Sequence, residues 1–256
     1  MANPGAASRN ASTRPRTYPV GRAVLLLGVG AADLAGRRVT VDGRRVQTVR
    51  FGSLALVVAF VDQAAYDANE IARKRTEPAW LGAEARALER AVDRLAAAGD
   101  ILPMKLLTVF PHAGALEAAA AERHARWSRA LVRLGTKREC VVHVYAGPHI
   151  APGSAAYVAR VSGAATRATR MPAFRGEAAT ISLLEGLWRD LAGVAIASRR
   201  IPPDPARGAQ FTQAFLVSEA DVAALGALVE RFNAAAAGAG HIAYLEGPRR
   251  PFSFVV

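Results

Sequence analysis

Cysteine is almost absent from this sequence of 256 residues, which has a single thiol at Cys140. One cysteine cannot form an intramolecular disulfide, and such a composition suits a reducing cytoplasm. Long apolar runs are also missing, because the longest, residues 54–61, is far too short to span a bilayer. Residues 1–19 are basic and contain no apolar stretch, so we expect a disordered tail there rather than a secretory signal.

Aromatic residues and lysine are scarce as well. Aromatics make up 7% of the chain, and lysine occurs only at positions 74, 105 and 137, so arginine supplies most of the formal net charge of +12. Residues 1–60 hold nine arginines and two aspartates, so this quarter of the chain carries more than half of the net positive charge. Because no aromatics are interleaved with these arginines, a stacking platform for single-stranded nucleic acid is not indicated.

Motifs that carry catalysis or bind cofactors are missing too. Gly28-Val-Gly30 follows an apolar run and half resembles a dinucleotide fingerprint, but Asp33 stands where the third glycine should be. A strand-terminating turn is the simpler interpretation. The sequence also has no phosphate loop and no Gly-x-Ser-x-Gly elbow. We therefore expect no enzyme and no cofactor.

The five histidines do not form a metal-binding pattern. None belongs to a His-Glu-x-x-His motif, and no second cysteine could complete a zinc site. Cys140 and His143 lie three positions apart in an apolar run, so in a strand they point to opposite faces. We interpret His143 as a hydrogen-bonded core or interface residue rather than a ligand.

Hydrophobic periodicity predicts an α+β protein with two domains. The first sixty residues are mostly β, and from Lys137 onward the order β-α-β-α-β suggests a ferredoxin-like layer. We expect a disordered basic tail (1–20), an N-terminal β-rich α+β domain (21–136) and a C-terminal ferredoxin-like domain (137–256) with a basic loop near 160–176. The predicted later elements are helices at 84–98, 114–134, 178–198 and about 218–237, and strands at 101–110, 140–145, 209–217 and 241–245.

Four arginines surround one predicted turn. Asp42-Gly43 is a hairpin signal, because both turn positions require positive φ. Arg37, Arg38, Arg44 and Arg45 would then form a positive hairpin end that contacts phosphate or an acidic protein surface. The alternative is an ordinary solvated turn.

Two segments resemble the gas vesicle protein F/L family (GvpF/GvpL). The closing Leu245-Glu-Gly-Pro-Arg-Arg-Pro-Phe-Ser-Phe254 is similar to the family's Leu-x-Gly-Pro-x-x-Pro-(Tyr/Phe)-x-Phe. The stretch from Leu88 through Ile101-Leu-Pro to Phe110 resembles its helix followed by a Leu-Pro strand. The sequence also departs from the family pattern. Lys105-Leu106-Leu107 stands where the family often has Arg-Phe-Gly, and Arg249 stands where it often has an aromatic residue. These departures indicate a divergent member, and the assignment to the F or the L type stays open.

The resemblance implies a cytoplasmic, gas vesicle-associated accessory protein without catalytic activity. Its partners would be the small hydrophobic shell protein and other accessory proteins, and its second domain would be a modified ferredoxin-like fold. The tail residues Gly247, Pro248, Pro251, Phe252 and Phe254 would form a rigid turn that docks two aromatics on the protein body, with a partner contact as the alternative. Two other classes stay open: a basic nucleic-acid-binding module, and an enzyme with a cleft between the domains.

Overall fold

The computed structural model describes residues 21–146, 178–202, 209–236 and 240–255. Within these ranges the chain forms two antiparallel sheets flanked by α-helices. The predicted tail at 1–20 and the predicted basic loop at 160–176 lie outside the described residues. None of the described helices combines the length and apolar character that a membrane span needs.

The N-terminal sheet has the strand order β2-β3-β4-β1-β5, and a further short strand, β6, also pairs with β1. The hairpin between β2 and β3 turns at Asp42 and Gly43, with φ of 48° and 75°. The predicted turn is therefore present. The strands are β1 (Arg22–Ala31), β2 (Arg38–Val41), β3 (Arg44–Phe51), β4 (Leu54–Asp62), β5 (Ile101–Pro103) and β6 (Val109–Phe110).

Helices cover both faces of this sheet. The short α1 (Ala68–Lys74) precedes α2 (Pro78–Ala96), which packs on one face, and α3 (Ala113–Leu134) packs on the other. A sheet buried on both faces needs apolar residues at consecutive positions rather than alternation. This explains why β1 and β4 read as continuous apolar runs, with eight buried residues in succession in β1.

The C-terminal sheet has the strand order β10-β7-β9-β8, and all of its pairings are antiparallel. Two helices cover one face, where Leu191 and Leu225 pack around Phe215. On the other face, Leu216 joins the core beneath α3 and so links the two sheets. The elements are β7 (Arg138–Ala146), α4 (Ala178–Val194), β8 (Ala197–Arg200), β9 (Phe211–Val217), α5 (Val222–Ala236) and β10 (His241–Arg249).

The prediction of one strand over residues 101–110 is wrong. Two short strands, β5 and β6, both pair with β1, and a turn separates them. The turn buries Met104 and Leu107, and Leu107 has a φ of 61°. An apolar run shows burial but cannot show that the chain turns within it.

The predicted helix at 178–198 is too long. The helix ends at Val194 and is followed by β8, an edge strand whose residues are all exposed. Its Ala-Ser-Arg-Arg sequence has no apolar alternation, so periodicity gave no strand signal. With β8 included, the described order is β-α-β-β-α-β rather than the predicted β-α-β-α-β.

Helix starts account for the other differences. The helix predicted from residue 84 begins at Pro78, because proline is well suited to the first helical position. Ser218, followed three residues later by Asp221, is the predicted N-cap of the helix at about 218–237, but its side chain does not cap α5. Its Oγ donates to Asp221 Oδ2 at 2.6 Å, and a 3₁₀ turn, Glu219–Asp221, precedes the helix.

Candidate functional site

The tail, residues 247–255, begins with a backbone conformation that requires glycine. Gly247 has a φ of 117°, and a Cβ placed there would lie 2.8 Å from the carbonyl oxygen of Glu139. A side chain at this position would therefore be strained and would clash with β7. The Gly247–Pro248 bond is cis, and the β7–β10 register is irregular between Glu246 and Arg249.

A buried carboxylate on β7 holds the tail in place. Glu139 is fully buried and accepts hydrogen bonds from Arg249 Nε at 3.1 Å and Nη2 at 2.8 Å. It also accepts from the backbone N–H of Ser253 at 2.6 Å and from its hydroxyl at 2.8 Å. Burial alone would lower the pKa of Arg249, but Glu139 and Glu246 raise it, so the guanidinium stays charged. The carboxylate thus has four donors and one compensating charge.

Arg250 connects the tail to the ends of both N-terminal helices. It donates to the carbonyl oxygens of Ala96 at 3.4 Å and Gly135 at 3.2 Å, which terminate α2 and α3. Asp100 lies 3.8 Å away. A cation at helix C-termini satisfies free carbonyl groups and the negative end of each helix dipole.

The tail also fills gaps in both N-terminal cores. Phe252 packs against the cluster beneath α2, whereas Phe254 and Val255 pack against the cluster beneath α3. Pro251, next to Phe252 in the chain, is buried as well. Both tail aromatics, Phe252 and Phe254, therefore contact the body of the protein.

The arginine hairpin divides into inward and outward residues. Arg44 forms a bidentate ion pair with Glu84 of α2, with both N–O distances at 2.8 Å, and Tyr66 also donates to Glu84 at 2.7 Å. Burial would raise the pKa of Glu84, but the hydrogen bonds from Arg44 and Tyr66 hold it below its usual value. Burial and Glu84 raise the pKa of Tyr66 to about 12. Arg44 is therefore engaged within the fold.

The other three hairpin arginines are exposed. Arg45 pairs with Thr40 and Arg38 with Gln47 across the hairpin, so Arg38 and Arg45 share the face opposite α2. Arg37 lies directly before β2 in the chain, and its side chain is also exposed. These three side chains have no ion pair within the described part of the chain. The structure thus brings Arg38 and Arg45 together and separates Arg44 from them.

His143 and Cys140 lie on opposite faces of β7. Cys140 is buried in the core under α4 and α5, and burial raises its pKa to about 11, so its thiol stays protonated. His143 contacts Thr212 Oγ1 at 3.1 Å and Glu246 Oε2 at 3.2 Å. No cluster of three or more potential metal ligands occurs among the described residues.

Sequence reasoning missed a groove along α3. Arg126, Arg129 and Arg133 line it together with Trp127 and tail residues, and its volume is about 460 Å³. The spacing of these arginines places them on one helix face, a signal present in the sequence.

Comparison with known proteins identifies the family. A family model described as gas vesicle synthesis protein GvpL/GvpF matches residues 23–256. The chain belongs to the GvpL/GvpF family. No curated protein sequence matches it.

Solved structures show the same fold at low sequence identity. The crystal structure of gas vesicle protein GvpF from Anabaena sp. PCC7120 aligns with a TM-score of 0.60 and 12% identity, covering 91% of this chain and 98% of that one. GvpF from Microcystis aeruginosa gives a TM-score of 0.59 and 11% identity with the same coverage. The expected family and the α+β class are therefore confirmed, and this member is divergent.

Proposed function

We propose that this GvpL/GvpF member is a cytoplasmic accessory protein that binds the small hydrophobic shell protein and other accessory proteins during gas vesicle assembly. The observation that carries the proposal is the family match across residues 23–256, because that family is described by gas vesicle synthesis. In the same proposal, residues 21–136 and 137–256 are two domains. The second is a modified ferredoxin-like unit, supported by its β-α-β-β-α-β order.

The edge strand β8 is a suitable place for a shell subunit to pair. Its residues are exposed, and among the described strands it pairs only with β9. Ile201 N donates to Thr212 O, so by alternation the N–H groups of Ser198 and Arg200 point away from β9. An extended segment could add here as a further strand, with backbone hydrogen bonds supplying the affinity.

The test is a pull-down in which the tagged chain is co-expressed with its gene cluster and each recovered protein is identified. We expect the shell protein and at least one other accessory protein. Ser198→Pro removes an outward N–H without removing a β8–β9 hydrogen bond, and Ser198→Val is the matched control that keeps it. Loss of the shell protein with proline but not valine supports strand addition. Recovery of no gas vesicle protein by the wild-type chain would contradict the proposed function.

A second candidate is nucleic-acid binding through the outward hairpin arginines. It is favoured by the exposure of Arg37, Arg38 and Arg45, which leaves their charge free for phosphate. Arg44 is unsuited to a test, because its replacement would remove the ion-pair partner of the buried Glu84. Salt-sensitive DNA retention that Arg38→Gln/Arg45→Gln abolishes would support this candidate, and unchanged retention would exclude the hairpin as the contact.

A further inference from the structure

The outer face of α3 carries three arginines without an internal partner. Arg126, Arg129 and Arg133 are exposed, and none forms an ion pair within the described ranges. At 100° per residue they fall within roughly 60° of one another around the helix. Glu122, one turn before Arg126 on the same side, is the last acidic residue of the helix, so Arg129 and Arg133 have no acidic neighbour on it. The result is a positive stripe about 10 Å long.

An apolar floor adjoins this stripe. The groove is bounded by Leu102 of β5, by Trp127 and Ala130 of α3 and by Phe254 and Val255 of the tail. Trp127 is only 5% exposed. Its ring is therefore packed into the core and cannot serve as a stacking face for a nucleobase. Leu102 and Val255 are buried as well, so the apolar surface that the groove exposes comes mainly from the half-buried Ala130 and Phe254. An apolar side chain is the better match for this surface.

We propose that the groove beside α3 binds an acidic amphipathic helix of a partner protein. Three guanidinium groups spaced one and two turns apart are complementary to carboxylates at i, i+3 and i+7 on a neighbouring helix. Leucine-like side chains on the adjoining face of that helix would enter the groove. A nucleic acid or an anionic membrane would use the charge but not the apolar floor. The inference concerns a surface distinct from β8, so it does not depend on shell-protein pairing there.

The test uses a labelled synthetic helix and the full-length chain. The probe carries glutamates at i, i+3 and i+7 with leucines on the adjoining face, and its binding is followed by fluorescence anisotropy. Arg126→Gln/Arg129→Gln/Arg133→Gln should weaken binding about tenfold, because three exposed charge pairs are lost. The matched control replaces three exposed arginines outside the groove and outside the hairpin, Arg75, Arg94 and Arg189, with glutamine. It removes the same charge and should change affinity by less than about twofold.

Further arms separate specific docking from general charge attraction. A peptide with the same composition but with its glutamates dispersed around the helix should bind about tenfold more weakly than the probe. Equal loss in both arginine variants, or equal binding of both peptides, would overturn the proposal. A labelled oligonucleotide or anionic vesicle that binds more tightly than the peptide and responds to the α3 variant would overturn the assignment to a protein partner. All substituted arginines are exposed, so unfolding is not expected, and circular dichroism verifies it.

Discussion

Glu139→Ala should destabilise the protein far more than loss of an exposed carboxylate. Glu139 is fully buried and accepts four hydrogen bonds, two from Arg249 and two from Ser253. Its removal leaves Arg249, whose side chain is 28% exposed, with only Glu246 at 2.9 Å and Glu89 at 4.0 Å. Breaking one partner of a buried ion pair typically costs about 3–5 kcal/mol in the free energy of unfolding.

The assay is urea unfolding followed by far-ultraviolet circular dichroism, with Glu219→Ala as the matched control. Glu219 also pairs with an arginine, Arg138, at 2.8 Å, but its side chain is 73% exposed. Its loss should cost less than about 1 kcal/mol. Arg249→Ala should cost about as much as Glu139→Ala, and the double variant should cost less than the sum, because both changes remove one interaction. A Glu139→Ala cost no larger than that of the control would refute this account of the tail.

Three further predictions concern other groups that the fold constrains. Glu84→Gln should lower the free energy of unfolding by about 1–3 kcal/mol at neutral pH. Because the pKa of Glu84 is lowered in the folded state, the difference between wild type and variant should shrink as the pH falls below about 4.5. A difference that does not depend on pH would contradict the pairing with Arg44. Gly247→Ala should lower the free energy of unfolding, measured in urea, by about 1–3 kcal/mol, because alanine is strained at φ 117° and its Cβ would clash with β7. The control Gly43→Ala, at a φ of 75° with open space around it, should lower it by less. Equal losses for the two variants would refute the close contact at Gly247. Cys140 should react slowly with a thiol reagent in the native state and rapidly in urea, and fast native labelling would show that the core under α4 is open.

Local chemistry made some of the fold predictable. Asp42-Gly43 specified its turn because few other residue pairs adopt two successive positive φ angles. The α3 helix, predicted at 114–134, was found at Ala113–Leu134, because its apolar period and a terminal glycine mark both ends. The prediction of one strand over residues 101–110 was wrong, and β8 was not predicted, for a common reason. Their pairing with β1 and β9 is a tertiary property that neither segment's own sequence contains.

The candidate sites were predictable only in part. The tail sequence predicts a rigid turn, but it does not predict the acceptor of its hydrogen bonds, because Glu139 lies 110 residues earlier in the chain than Arg249. No local pattern could connect them. The hairpin arginines look equivalent in the sequence. In the structure, strand alternation places Arg44 and Arg45 on opposite faces, and Arg44 forms an ion pair with Glu84. The arginine face of α3 could have been predicted from the sequence, because the spacing of residues 126, 129 and 133 places them on one side of a helix.

Co-expression of only this chain and the shell protein, followed by sedimentation, tests the central claim most directly. An assembly factor that binds the shell subunit should keep it in the supernatant as a complex that elutes with the chain on size exclusion. We expect soluble complex with the wild-type chain and pelleted shell protein without it. Shell protein that pellets equally in both cases, with none eluting beside the chain, would contradict the account.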